Sequence, residues 1–596
     1  MTTLRDVLSG LTVFDLKPRI QLLKVDRPPT RKADLVDLLE KQLLSDKLKV
    51  QWQLLDGLEQ QAVAEAIHHY NGCFDRLRFP AKYGAVPKFF GRRDYGSPPD
   101  GSRLGLFFYH DEVPEELAAR LRTFVPEPEA AKLNTLGDAA PPETWTRRTG
   151  KQHQAAMTVR CANMEAAAKQ ELGAVLRLVD SGRISVGEKT GIAGAASLRQ
   201  IGETLTGGDF YSKEENSDRK WVSPINVIRA YAWPLLIQSG GLTKKAGKKL
   251  ELTRKGKKAL SEPFEEAIEE LFSRWTAKGM LDELRRIDVI KGQTAKGVRL
   301  TPPSDRRAMI EAVLSECPVG EWVSIDELFR FMRAEGFIFE VSRNLWKLYI
   351  GNSEYGSLGY SGTGGWHILQ ARYTLAFLFE YVATLGLIDV AYVHPDSARP
   401  DFLNQWGTDD LPFLSRYDGL LYIRLNPLGA YCLGFEIHYA PTEDEAPPLF
   451  RVRPDLEIEL TGEPMPADRI MLEQFAEPIA ADTWKITQNK ILRAIEESRS
   501  IDEFHAFLAS KADHALPVEV EQFFDDAKNR SEAMEEIGNA RLIRCRTPAL
   551  AKMIASDPLT QKFCMLAGER ELVVPEKLEG KFRQALFKQG FVLPKK

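Results

Sequence analysis

The sequence predicts a multidomain α+β protein, mainly α, in which two central pieces repeat one design. Three observations predict it. First, 596 residues exceed what one hydrophobic core organises, and usual domain sizes imply about three to five domains. Second, 43% hydrophobic and 28% charged residues make an ordinary globular composition, which excludes fibrous and disordered classes. Third, helix and strand periodicities recur in the same order in two consecutive stretches. Proline-rich joints at residues 126–142 and 440–448 (APTEDEAPP), with a softer boundary at Thr301, Pro302, Pro303 and Ser304, divide the chain. The pieces are 1–140, 150–300, 301–440 and 449–596.

A net charge of −4 argues against a wholly basic nucleic-acid coat, so DNA binding has to come from local patches. The six cysteines (Cys73, Cys161, Cys317, Cys432, Cys545, Cys564) contain no CxxC. That spacing is neither a disulfide framework nor a zinc knuckle, and it fits a reducing cytoplasm. The first residues lack the apolar run of a signal peptide. No stretch approaches 18 uninterrupted apolar residues, so no membrane span is expected. The expected location is cytoplasmic, associated with the nucleoid.

Residues 11–43 read as an amphipathic helix, a proline-containing turn and a second helix. Thr30 is the expected cap of the second helix, and Leu35, Leu38, Leu39 and Leu43 keep helical spacing. With Arg31, Lys32, Ala33, Asp34, Leu35 and Val36 opening that helix, the segment resembles a SAP motif, a short two-helix DNA-binding element. It departs from the motif where Thr30 replaces a frequent glycine. The resemblance implies phosphate contacts by Lys17, Arg19, Lys24, Arg31 and Lys32. The competing reading is a plain helical hairpin with a basic rim. Residues 50–125 suggest no role, and His68 and His69 on a predicted helix over 60–70 are expected to be a surface pair.

The second and third pieces each read as helix, Gly-Leu turn, strand, loop, alternating strand, and a capped last helix. The caps are Thr253 in one and Asn426 in the other. With helical segments upstream, this is the plan of a winged helix, repeated in tandem. The wing of the first copy carries Lys244, Lys245, Lys248, Lys249, Arg254, Lys255, Lys257 and Lys258 against Glu251 alone within 240–260. Such a cluster suits phosphate contacts, whose affinity comes from counterion release; the competing reading is a solvated surface. The segments that should be recognition helices, 224–237 and 366–385, are poor base readers. The first has Arg229 as its only charge, and the second has only Arg372 and Glu380. Both look built for burial.

From Leu449 a strand over 450–460 is expected, then a helix after Pro466, a strand-to-helix step from Trp484 to Thr487, a helix from Ser500, and Leu516–Pro517 opening a helix at Val518. With the Val452, Arg453, Pro454, Asp455 strand, the 540–545 segment ARLIRC and the closing 586–594 run, residues 449–594 resemble the N-terminal domain of XPB-type helicases. The arrangement is also similar to the XPB-clamping subunit of TFIIH. The resemblance implies a docking module without cofactor, because no GxxxxGK[ST] and no DEAH-like box occurs in the chain. The nine histidines show no HExxH spacing, the glycine-rich 359–366 run reads as a flexible insertion, and the Asp525–Asp526 and Glu535–Glu536 pairs read as charged helical faces. The expected function is a non-catalytic adaptor that couples DNA to an XPB-like or other helicase, in repair or phage defence. The alternatives are a winged-helix transcriptional regulator and an unrecognised nuclease.

Overall fold

The computed structural model describes residues 3–89, 102–146, 156–211, 227–260, 262–360, 362, 365–396, 398–408, 411–441, 448–462, 464, 466–497, 499–534 and 538–594. The fold is mixed α/β, rich in helix, with small antiparallel sheets. It divides into an amino-terminal unit, Met1–Pro447 with Glu463–Met471, and a carboxy-terminal unit, Pro448–Gly462 with Leu472–Lys596. Among the described residues no helix is long and apolar enough to cross a membrane.

The amino-terminal unit begins with α1 (Leu4–Gly10), α2 (Val13–Leu22), α3 (Lys32–Leu43), α4 (Lys47–Gln53), α5 (Gly57–His68), α6 (Arg78–Tyr83) and α7 (Glu115–Leu121). Capping boxes Thr3/Asp6, Thr12/Asp15 and Asp56/Glu59 start α1, α2 and α5 by satisfying first-turn N–H groups. Thr30 does not cap α3: Arg31 occupies the cap position and no side chain closes it. The leucines Leu35, Leu39 and Leu43 are buried in one helical core with Leu4, Leu8, Leu16 and Phe107. His68 and His69 are half-exposed, and each has a partner. Nε2 of His68 lies 3.1 Å from the Val125 carbonyl, and Nδ1 of His69 lies 2.8 Å from Glu65.

The proline-rich segment after residue 125 is a docked strap, not a free joint. The Asn134 N–H donates to Glu327 at 2.8 Å, and the Leu136 N–H donates to the Trp322 carbonyl at 2.9 Å. Arg330 reaches across to the Ala81 carbonyl at 3.2 Å. Thus the helical module is held against the third piece by backbone groups that the strap would otherwise leave unmet.

Next come β1 (Thr144–Thr146), β2 (Ala156–Thr158), β3 (Arg160–Ala162), α8 (Met164–Asp180), α9 (Ala195–Thr204), α10 (Arg229–Ser239), β4 (Thr243–Ala246), β5 (Lys249–Leu252), α11 (Arg254–Lys258), α12 (Phe264–Lys278) and β6 (Ile290–Lys291). They lead into α13 (Pro303–Leu314), β7 (Trp322–Ser324), α14 (Ile325–Glu335), β8 (Tyr349–Ile350), α15 (Gly365–Ile368), α16 (Gln370–Ala376), a π-helical turn Phe377–Val382, β9 (Ile388–Tyr392), β10 (Leu420–Leu425) and α17 (Pro427–Cys432). Thr253 and Asn426 cap α11 and α17 as expected. The two stretches are not separate cores. One hydrophobic cluster runs from Met164 to Leu428, and β3 joins the sheet β3-β9-β10-β7 through Arg160↔Tyr392. The Asp389 carboxylate also accepts the first N–H of α8 at 2.9 Å.

The carboxy-terminal unit contains β11 (Phe450–Val452) and β12 (Glu457–Leu460). The single strand expected over 450–460 is a hairpin, because Pro454 and Asp455 turn the chain and Leu456 sits at φ 68°. Then follow α18 (Pro466–Phe475), β13 (Ala476–Ala480), β14 (Thr483–Ile486), α19 (Gln488–Glu496), α20 (Ile501–Lys511) and α21 (Val518–Glu532). Thr487 and Ser500 cap α19 and α20, and Phe504 stacks on Phe475 at 4.8 Å. A second sheet, β15-β17-β16, is built from β15 (Ala540–Arg544), β16 (Met565–Leu566) and β17 (Glu571–Pro575), with α22 (Pro548–Ser556) and α23 (Glu579–Lys588) against it. Glu535 and Glu536, and parts of the expected 224–237 helix, the 359–366 run and the 440–448 linker, lie outside the described residues.

Candidate nucleic-acid interface

The first basic cluster folds as a hairpin. Strands β4 and β5 pair from Thr243↔Leu252 to Ala246↔Lys249, which leaves Gly247 and Lys248 as a two-residue turn. Gly247 sits at φ +63°, the conformation that such a turn asks of its first residue. Leu250 and Leu252 point into the core, and the alternation puts Lys249 and Glu251 on the outer face. A third backbone stretch flanks the hairpin: the Leu250 N–H donates to the Ile184 carbonyl at 3.1 Å and the Val186 N–H to the Lys248 carbonyl at 2.8 Å. The element order from α8 to α11 is helix, bridge, helix, helix, two-stranded hairpin, helix, and α13 to α17 follows it with β8 and α15 inserted after α14 and with β9 and β10 in a four-stranded sheet.

The eight cations are not equally available. Lys244 lies 3.9 Å from Glu251, Lys255 pairs with Glu270, and Lys258 pairs with Glu262. Compensation thus comes from α12 and the turn before it, beyond the stretch in which Glu251 stood alone. Lys245 donates to the Glu188 carbonyl at 3.1 Å. Lys248, Lys249, Arg254 and Lys257 are exposed and make no ion pair with any described residue. Lys189 is exposed on the loop that receives Lys245. Sequence reading missed it because it lies far upstream of the contiguous lysine run.

Of the amino-terminal set, Lys17, Lys24, Arg31 and Lys32 are exposed. Arg19 is withdrawn from it. Arg19 is only 7% exposed, and its guanidinium donates to the carbonyls of Gly105 (2.7 Å) and Asp15 (2.8 Å) beside the Tyr109 ring. It ties α2 to the 103–106 turn, and no phosphate reaches it.

The apolar helices are buried as their composition implied. On α10, Arg229 pairs with Glu171 of α8 and donates to the Gly208 carbonyl at 2.7 Å, while Trp233 donates to the same carboxylate at 3.0 Å. In the π-helical turn, Glu380 takes Arg286 at 2.8 Å and the hydroxyl of Tyr417. On α16, Arg372 is fully buried between Asp418 and Asp401. These charges satisfy one another inside the core, so neither helix offers side chains to base edges. Among the described residues no three His, Cys, Asp or Glu side chains are grouped to hold a metal ion.

Residues 450–567 match the family model of the helicase conserved C-terminal domain. The match covers about a fifth of the chain. It begins at β11 and ends between β16 and β17, taking in the whole four-stranded sheet. The chain therefore carries a helicase-related domain. No curated protein matches the chain.

Proposed function

We propose that the protein is a non-catalytic accessory subunit that holds the DNA backbone and docks a helicase of the XPB type or another of its superfamily. The observation that carries the reading is the pairing, in one chain, of the helicase-related domain with a projecting hairpin whose tip cations are free. The repeated element order supports reading 150–300 and 301–440 as tandem winged helices that share a core. In this reading β4 and β5 are the first wing, and Lys248, Lys249, Arg254 and Lys257 hold phosphates, with the exposed Lys17, Lys24, Arg31 and Lys32 of the SAP-like helices as a second contact. Burial of α10 removes direct base readout, which favours backbone binding over a promoter-specific regulator.

An open sheet face supports the docking half. Leu542, Val573 and Met565 lie in one register across β15, β17 and β16, while Leu572 and Val574 face inward. Leu542 and Met565 remain 68% and 56% exposed, an apolar row that suits a protein partner. The test is affinity purification of the tagged protein from its own cells with nuclease present. The reading expects an ATP-dependent helicase at near-equal stoichiometry, which Leu542→Glu removes. Recovery without any helicase, or loss of the helicase on nuclease treatment, would overturn the docking role.

A further inference from the structure

Loops around residues 346, 355–360 and 406 of the amino-terminal unit bring four large aromatic rings to one exposed surface. Trp346 is 58% exposed, Tyr355 54%, Tyr360 79% and Trp406 79%. Solvent exposure of four such rings is unusual for a folded chain, since each buries a large apolar area when it can. The rings are not loose. Trp346 meets Tyr360 edge to face at 4.7 Å, and glycines supply their seats. A Cβ at Gly359 would come within 2.4 Å of the Trp346 indole, and one at Gly407, where φ is +85°, within 3.0 Å of the Tyr355 ring. Gly356 lies beneath Trp406 in the same way, at 3.6 Å. Trp346, Tyr355 and Trp406 therefore rest against glycines and Tyr360 against Trp346, and each keeps more than half of its surface open.

The loops are fixed by their own hydrogen bonds. The Leu358 N–H donates to the Leu348 carbonyl at 2.8 Å, the Ser357 hydroxyl to the Leu345 carbonyl at 3.1 Å, and the Asn344 amide to the Gly297 carbonyl at 3.0 Å. Strand pairing Lys291↔Tyr349 adds a third segment.

The rim is basic. Lys291, Lys296, Arg299, Arg343 and Lys347 are exposed on these loops, and none makes an ion pair with a described residue. Among the described residues of these loops the opposing exposed acids are Glu340 and Glu354. Two further acids nearby are taken by buried arginines of the core: Asp288 by Arg416 and Asp401 by Arg372.

Exposed rings with interleaved cations are what an unstacked base and its phosphodiester backbone require. Bases stack on aromatic faces with little sequence preference, and cations follow the chain. A duplex hides its base faces and would leave the rings unused. We infer that this surface binds single-stranded DNA, with Trp346, Tyr355, Tyr360 and Trp406 stacking bases and Lys291, Lys296, Arg299, Arg343 and Lys347 holding the backbone. The inference goes beyond the proposed wing contact, using a different surface and the opposite strand state.

The test titrates the full chain with fluorescein-labelled oligo-dT and, separately, with a blunt duplex, reading anisotropy and tryptophan quenching. Trp346→Ala and Trp406→Ala, both at exposed positions, are each expected to weaken oligo-dT binding by roughly tenfold, with quenching reduced and duplex affinity unchanged. Trp406→Phe should restore most of the loss, which separates stacking from a change of fold. Unchanged oligo-dT affinity in the double variant, or equal losses on oligo-dT and duplex, would overturn the inference. Lys248→Ala/Lys249→Ala should do the reverse, lowering duplex affinity alone, so failure at one surface is distinguishable from failure at the other.

Discussion

Replacing Arg229 by methionine separates a buried strut from a DNA reader. Arg229 is the one charge on the helix that a winged-helix reading would place against bases, yet it is 3% exposed and Glu171, its partner, is 0% exposed. Among the described residues, Arg229→Met would leave that carboxylate with the Trp233 indole N–H and the Thr206 N–H, at 3.0 and 2.9 Å. It would also strip the Gly208 carbonyl of its donor. Losing one member of a buried ion pair costs about 3–5 kcal/mol, because the remaining charge is uncompensated. Glu171→Met/Arg229→Met removes that charge too, and should regain about 1–3 kcal/mol of the loss, since the groups then left unmet are neutral N–H and carbonyl groups. Equilibrium urea unfolding of the amino-terminal unit, followed by tryptophan fluorescence, measures both. Where the variants remain folded, duplex affinity should be unchanged. If Arg229→Met costs under about 1 kcal/mol and weakens duplex binding, α10 is exposed to DNA and the burial argument fails.

Arg19→Met should likewise lower stability, by about 1–3 kcal/mol through the carbonyls of Gly105 and Asp15, while leaving the salt dependence of DNA binding intact; a shallower salt slope would return Arg19 to the phosphate contacts. Glu65 gives a pH prediction. Burial pushes its carboxyl up, but hydrogen bonds from Lys82, His69 and Tyr83 outweigh burial and hold it below the ordinary 4.5. Its contribution to stability is therefore complete above the ordinary carboxylate range and is lost as pH falls through the lowered value. Acid titration of urea midpoints should show this loss in the wild type and a weaker dependence in Glu65→Gln; identical profiles would remove Glu65 from the account. Thr253→Ala should cost about 1 kcal/mol by leaving the Gly256 N–H without its hydroxyl acceptor, read as a lower unfolding midpoint; no change would mean that α11 is held by packing alone.

Local signals in the sequence carried far. Thr253 and Asn426 were legible as caps, and Thr487 and Ser500 as helix starts, because a cap needs only a side chain and an N–H three residues on. The apolar composition of α10 and of the 365–382 stretch announced burial. The hairpin lysines were visible because they are contiguous. What failed was set by distant residues. Arg19 is drawn inward by Gly105 and Tyr109, and Lys255 is paired by a glutamate on the next helix. Nothing near residue 160 indicates that β3 will pair with Tyr392, so the division at 300/301 concealed a shared core. The strap after Pro126 looked like a linker because backbone pairing to Trp322 and Glu327 leaves no mark on composition. The aromatic surface was missed for the same reason: its rings come from loops around residues 346, 355–360 and 406, and only the fold gathers them.

The central claim, that the wing holds the DNA backbone through its free cations, is tested most directly by salt dependence. With Lys248, Lys249, Arg254 and Lys257 each neutralising a phosphate, they contribute about −3.6 to the log–log slope of duplex affinity against salt, a share worth roughly 150-fold between 50 mM and 200 mM. Lys248→Ala/Lys249→Ala should flatten the slope by about 1.8, equally on unrelated duplex sequences. A slope unchanged by that substitution would contradict the account.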